Sequence, residues 1–188
     1  MKKKLVNWGY AKITARAKTG YTYGAPTYPA AASAGGREYK ATPRGDVKSI
    51  YANSQEVYVA ENNDGYDIEM TVIELIDILG TDFLGFETRS NGLLEVSKDT
   101  ENPHFALLLS DAATSGTGTT EIFYDCVCTN RPDITGKTAE EGKWDEQYVT
   151  VKIKAMPRLN DNAVRLKISG TAELETVPEP GTVPSSTP

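Results

Sequence analysis

A chain of 188 residues with a 39% hydrophobic fraction is long enough to bury one domain core, with room for an appendage. Its net charge of −6 argues against a grip on nucleic acid, because phosphate binding needs clustered Lys and Arg. No stretch is long and apolar enough to span a bilayer. Lys2, Lys3 and Lys4 are not followed by the apolar run of a signal peptide, since Asn7, Gly9, Lys12 and Arg16 interrupt it, and the cytoplasm is the expected site of synthesis.

Residues 4–15 predict a first strand or extended arm, with Val6, Trp8 and Tyr10 alternating. Residues 16–46 read as a long loop holding Pro26, Pro29, Pro43 and several glycines, anchored by Tyr21, Tyr23, Tyr28 and Tyr39. Loops of this length are uncommon in compact domains, and disordered segments are poor in aromatics, so it is expected to order against a partner surface. Residues 47–60 and 65–72 predict a hairpin around Asn62-Asn63-Asp64-Gly65. Tyr66, Ile68, Met70 and Val72 would face inward, and Asp67, Glu69 and Thr71 outward. Val72, Leu75, Ile76 and Leu79 have helical spacing, which predicts a helix over 72–79 stopped by Gly80. Phe83, Leu84 and Phe86 begin another apolar patch, followed by a turn at Asn91-Gly92 and a short strand over 93–96.

The apolar run 104–109 predicts a strand covered on both faces, 111–120 a flexible loop, and 121–128 another strand. Strict alternation predicts strands over 147–155 and 163–169. Residues 177–188 have linker composition and need not fold. The expected fold is mainly β, sandwich- or barrel-like, with one packed helix in a domain over 1–176.

His104 is the single histidine, so a zinc site with two histidines is impossible. Cys126, Cys128 and His104 could supply three ligands, but Cys-x-Cys lacks the usual knuckle spacing. Two cysteines two apart on one strand point the same way, a poor geometry for a mutual disulfide, and read as buried thiols. No nucleophile elbow precedes His104, which reads as a strand-end residue. Setting Gly65 as the glycine of a calcium loop puts Ala60 and Thr71 where carboxylates belong, so that pattern fails. Gly116-Thr117-Gly118 lacks the rest of a phosphate loop. The pairs Asp67/Glu69 and Glu173/Glu175 read as solvated strand edges rather than a glycosidase dyad. No enzyme, cofactor or metal is expected.

One set of motifs remains: Tyr23-Gly24-Ala25-Pro26, Tyr51-Ala52-Asn53 with Tyr58, Asn62-Asn63-Asp64-Gly65-Tyr66, and Asp77-Ile78-Leu79-Gly80. It continues with Pro103-His104-Phe105-Ala106-Leu107-Leu108, Tyr124-Asp125-Cys126, Arg131-Pro132 and Ala155-Met156-Pro157-Arg158. In order and spacing, over roughly residues 4–170, this resembles the major tail (tail tube) proteins of long-tailed, siphophage-type bacteriophages. The Ala/Gly-rich insert near Ala30 and the Pro-rich tail are not diagnostic.

The resemblance implies a structural subunit of the phage virion, made in the host bacterial cytoplasm. It would form hexameric rings, stacked into a tube through which DNA is ejected without specific binding. The tape-measure, tail-tip and tail-terminator proteins would be its other partners, with no membrane involved. On that reading Glu56, Asp67 and Glu69 could line the lumen with repulsive charge, although they read equally as ordinary solvent-facing acids. Trp8, Tyr10, Tyr21, Tyr23, Tyr28 and Tyr39 would form inter-subunit contacts. The alternative is a carbohydrate- or surface-binding β-module with Tyr21, Tyr23 and Tyr28 as an exposed platform.

Overall fold

The structure, a computed structural model, describes residues 3–31, 35–52, 55–73, 77–97, 101–113, 117–133 and 148–181. Its centre is a pair of apolar strands, β9 (His104–Ala113) and β10 (Thr119–Cys128). Phe105, Leu107 and Leu109 of β9 enter one core, while Ala106 and Leu108 enter another. Because side chains alternate across a strand, a continuous apolar run means a sheet covered on both faces.

Around this pair an eight-stranded antiparallel sheet assembles. It includes β1 (Lys3–Ala17), β2 (Gly20–Tyr23), β3 (Gly36–Arg44), β6 (Gly65–Val72), β11 (Val149–Met156) and β12 (Arg165–Ser169). The order is β2-β1-β9-β10-β11-β6-β3. One edge of β10 is shared: Thr119 to Phe123 pair with β12, and Asp125 to Cys128 pair with β11. The change of partner coincides with a one-residue bulge between Phe123 and Cys126 against β9. The bulge resets the alternation, so Phe123 and Cys126, three apart, both enter the first core.

The sheet curls. Gly36 of β3 abuts β1 so closely that a Cβ there would lie 2.8 Å from Leu5 and 2.9 Å from Trp8. The Tyr39 hydroxyl bonds the Asp111 carboxylate of β9, several strands away in the sheet order. Helix α1 (Asp77–Leu84) plugs the first core with Leu79, Phe83 and Leu84. Phe83 stacks on Phe105 at 4.0 Å between centroids and meets Tyr10 edge-on at 5.1 Å. Asp82 accepts the Tyr10 hydroxyl at 2.8 Å and pairs with Lys12 at 2.6 Å. Two further hairpins complete the described residues: β4 (Val47–Ala52) with β5 (Gln55–Glu61), and β7 (Glu87–Arg89) with β8 (Gly92–Leu94).

The mainly β class with one packed helix stands, but several elements differ from the sequence expectation. Val72 belongs to β6 and not to the helix, because it is held extended between Val149 and Gly36; the helix is described over Asp77–Leu84, and Leu75 and Ile76 lie outside the described residues. Gly80 lies inside the helix. The stop is Gly85, at φ +67, whose N–H donates to the Thr81 carbonyl. Residues 16–46 are not one loop, since β1 ends at Ala17 and β2 and β3 follow. Pro43 disguised β3, and it is tolerated there because β3 is an edge strand, paired among the described residues only with β6. The expected loop 111–120 is shortened from both sides by β9 and β10.

Val6 does not share the face of Trp8 and Tyr10. A bulge between Leu5 and Asn7 turns it to solvent, 54% exposed. Glu173 and Glu175 lie on no strand. Residues 177–181 are docked on the domain rather than free: Val177 is part of the second core, and the Pro178 carbonyl accepts the Tyr124 hydroxyl.

Candidate functional site

Asn62-Asn63-Asp64-Gly65 is not the hairpin turn that the sequence suggested. The β4–β5 hairpin closes upon itself, and β6 pairs instead with β3 and β11. Bonds from Asn62 N–H to the Asp46 carbonyl and from Asp64 N–H to the Arg44 carbonyl bridge the two pairings. The result is one long ribbon. Strands β3 and β6 form its base in the sheet, Gly45 and Asp46 oppose Asn62, Asn63 and Asp64 at its waist, and β4–β5 form its outer half.

Two glycines make the waist possible. A Cβ on Gly45 would lie 1.6 Å from the Asn62 carbonyl oxygen, and one on Gly65, at φ +99, would lie 2.0 Å from the Ala155 oxygen. The outer half pairs with no other strand among the described residues. An isolated two-stranded hairpin is marginal in water, and both of its outer edges offer unpaired backbone groups.

The base of the ribbon presents a charged face. Asp67 and Glu69 do point outward, 60% and 58% exposed. Register places Lys40, Glu69 and Lys152 in one row, and Thr42, Asp67 and Lys154 in the next. Arg44 Nε sits 3.2 Å from Asp67, and Lys152 Nζ sits 3.9 Å from Glu69. The expected acidic patch is therefore a face of mixed sign, because Glu69 has Lys40 and Lys152 as cross-strand neighbours and Asp67 has Lys154. Glu56 lies on β5, apart from that face, and its side chain is outside the described residues.

The six expected contact aromatics lie mostly inside the subunit. Trp8 and Tyr10 are 2% and 1% exposed and belong to the first core, because the covered face of β1 carries them inward. Tyr21 is buried, its hydroxyl 2.6 Å from Asp125. Tyr23 is half-buried against the second core. Tyr28 lies over Gly9, and its hydroxyl accepts the Leu174 N–H at 2.7 Å. Tyr39 packs against the first core and holds Asp111. The platform of Tyr21, Tyr23 and Tyr28 is thus covered by the chain itself.

No local pattern signals the buried polar network at the β10 bulge. Asp125 is fully buried and accepts from Arg16 Nε at 2.8 Å and Tyr21 at 2.6 Å, while its other oxygen lies 2.6 Å from His104 Nδ1. Glu101 approaches His104 Nε2 at 3.0 Å as an ion-pair contact. Burial alone would raise the Asp125 pKa, but bonds from His104, Tyr21 and Arg16 outweigh it and hold the carboxyl below its ordinary range. Burial would lower His104, but Asp125 outweighs it and raises the imidazole above its usual value. Both ring nitrogens face carboxylates, so this dyad presents none to a hydroxyl nucleophile and serves as a brace between β1, β2, β9 and β10.

Cys126 and Cys128 are buried free thiols on one face of β10, and burial pushes both thiol pKa values up. No group of three or more His, Cys, Asp or Glu among the described residues is placed to hold a metal. Nor, among them, is any helix long and apolar enough to cross a membrane. No protein-family model matches the chain, and no curated protein matches it.

Proposed function

We propose that this chain is a self-assembling structural subunit of the long-tailed-phage tail tube type, forming hexameric rings that stack into a hollow conduit for DNA in the virion. The observation that carries this reading is the outer half of the ribbon, β4–β5, which pairs with no other strand among the described residues. A neighbouring copy supplies the edge and the buried area that such a hairpin lacks alone. Val47, at its root, is 64% exposed and would be covered in the ring. The mixed-sign face of β3, β6 and β11 suits a bore that must pass DNA without holding it, because the lysines there stand beside Asp67 and Glu69 and have little net attraction left for phosphate. The tape-measure, tail-tip and tail-terminator proteins are the partners of such a tube.

Negative-stain microscopy of the purified protein tests the proposal. Hexameric rings or tubes are expected, and a strictly monomeric species at high concentration overturns it.

A further inference from the structure

The chain enters β9 through residues 101–103, and three ties seat it there. Asn102 Nδ2 donates to the Cys128 carbonyl at 2.9 Å. Pro103 packs on Gly85, the residue that stops the helix, since a Cβ on Gly85 would lie 3.2 Å from Pro103 Cδ. The third tie is a charge: the Glu101 carboxylate, 64% exposed, lies 3.0 Å from His104 Nε2.

His104 holds Glu101 from a fixed position. Its side chain is 10% exposed, and Nδ1 lies 2.6 Å from the buried Asp125. Arg16 Nε of β1 and the Tyr21 hydroxyl of β2 donate to the other Asp125 oxygen, at 2.8 and 2.6 Å, and these bonds help keep Asp125 a carboxylate. A carboxylate only accepts, and a neutral imidazole carries one N–H, so the neutral ring keeps its proton on Nδ1. The proton that His104 gives up is then the one on Nε2. That nitrogen is buried and makes no hydrogen bond among the described residues, so its charge alone draws Glu101. Once the proton leaves, a lone pair faces a carboxylate at 3.0 Å, acceptor against acceptor.

The geometry points to a pH-operated latch: protonated His104 seats Glu101 at the entry to β9, and neutral His104 releases it to solvent while Asp125 keeps the ring in place. Three charged groups act on the imidazole. Asp125 of β10 and Glu101 favour its charged form, and Arg16 of β1 opposes it. Burial would lower the imidazole, but the two carboxylates outweigh burial, so the release falls above the ordinary histidine value near 6.5. Only one tie is cut. The bonds from Arg16 and Tyr21 to Asp125 and from Asn102 to Cys128 involve no proton lost in that range. The latch therefore frees Glu101 locally and leaves the fold standing. It does not depend on the tube, since a chain that forms no rings carries the same groups.

NMR of the full chain tests the latch, because His104 is the single histidine and its ring signals report one site. Titration from about pH 5 to about pH 9 should show one step, with the neutral ring protonated at Nδ1. The backbone order parameter at Glu101 should fall through the same midpoint, from about 0.85 to below about 0.6. Glu101→Ala removes an exposed carboxylate and leaves the core untouched. It should shift the histidine midpoint downward and hold residue 101 at the low order parameter throughout. A neutral ring protonated at Nε2, a midpoint unmoved in Glu101→Ala, or an order parameter at Glu101 that stays level across the titration overturns the latch.

Discussion

Glu69 faces Lys152 directly across the β6–β11 pair, and on its other side, across β3, it faces Lys40. Changing the acids of this face therefore alters whole rows of charge. Asp67→Lys with Glu69→Lys turns Lys40, residue 69 and Lys152 into three like charges side by side, at a cost of roughly 0.2–1 kcal/mol per pair. On the tube reading, a phage carrying both changes should still assemble tubes but eject DNA poorly, because the lining becomes strongly basic. Unchanged infectivity rejects the lining role.

The outer hairpin should be dispensable for folding and necessary for assembly. Replacing residues 47–61 by a short glycine-containing turn removes no strand of the eight-stranded sheet. Circular dichroism should show an intact β fold while microscopy shows no rings. Removing residues 20–44 is a different experiment, since β2 and β3 go with it. That deletion should unfold the subunit rather than merely block stacking.

Asp125 and Asp67 each touch an arginine, yet their removal should differ in effect. Asp125→Ala leaves Arg16, Tyr21 and His104 around an empty buried position, at about 3–5 kcal/mol by analogy with broken buried pairs. Asp67→Ala breaks an exposed pair and should cost about 1 kcal/mol or less. Urea unfolding of the two variants measures the contrast, and similar losses would remove the bracing role of Asp125.

His104 and Asp125 also set a pH dependence. His104 titrates higher in the fold than the ordinary value near 6.5, so its contribution is complete below about pH 6.5 and fades as pH rises through the folded value. Asp125 titrates lower in the fold, so its contribution is present above about pH 3.9 and fades only as pH falls through its lowered value. Between them, stability should be greatest from about pH 4 to about pH 6.5. Urea midpoints should decline as pH rises above about 6.5, through the raised value of His104. His104→Gln should flatten that decline, and an unchanged slope in the variant would assign it elsewhere.

Gly65→Ala should destabilise by about 2 kcal/mol or more, because it combines a positive φ with a Cβ driven onto the Ala155 carbonyl. Gly24→Ala is the control: its nearest neighbour, the Lys12 oxygen, is 3.7 Å away, an ordinary contact. Thermal unfolding of both variants compares them, and equal shifts would mean that the ribbon's waist adjusts freely.

Local pattern in the chain determined the pieces. The run His104 to Leu109 reads as a strand covered twice, and the alternation from Val149 to Ile153 reads as a strand with one face inward, because period and apolarity are properties of neighbouring residues. The exclusions drawn from one histidine and from failed loop motifs have the same local origin. Tertiary structure decided what pairing across long separations imposes. Asn62 to Gly65 has turn composition, yet it became the waist of a ribbon because β6 found partners in β3 and β11. Val72 fits a helix and a strand equally, and strands on both sides chose for it. Asp125 gained its role from Arg16, Tyr21 and His104, each at least 21 residues away in the chain, and no local pattern encodes that meeting. The tyrosines set aside for a partner went inside for the same reason: a side chain's exposure depends on which strand folds over it, and that is settled only when the sheet closes.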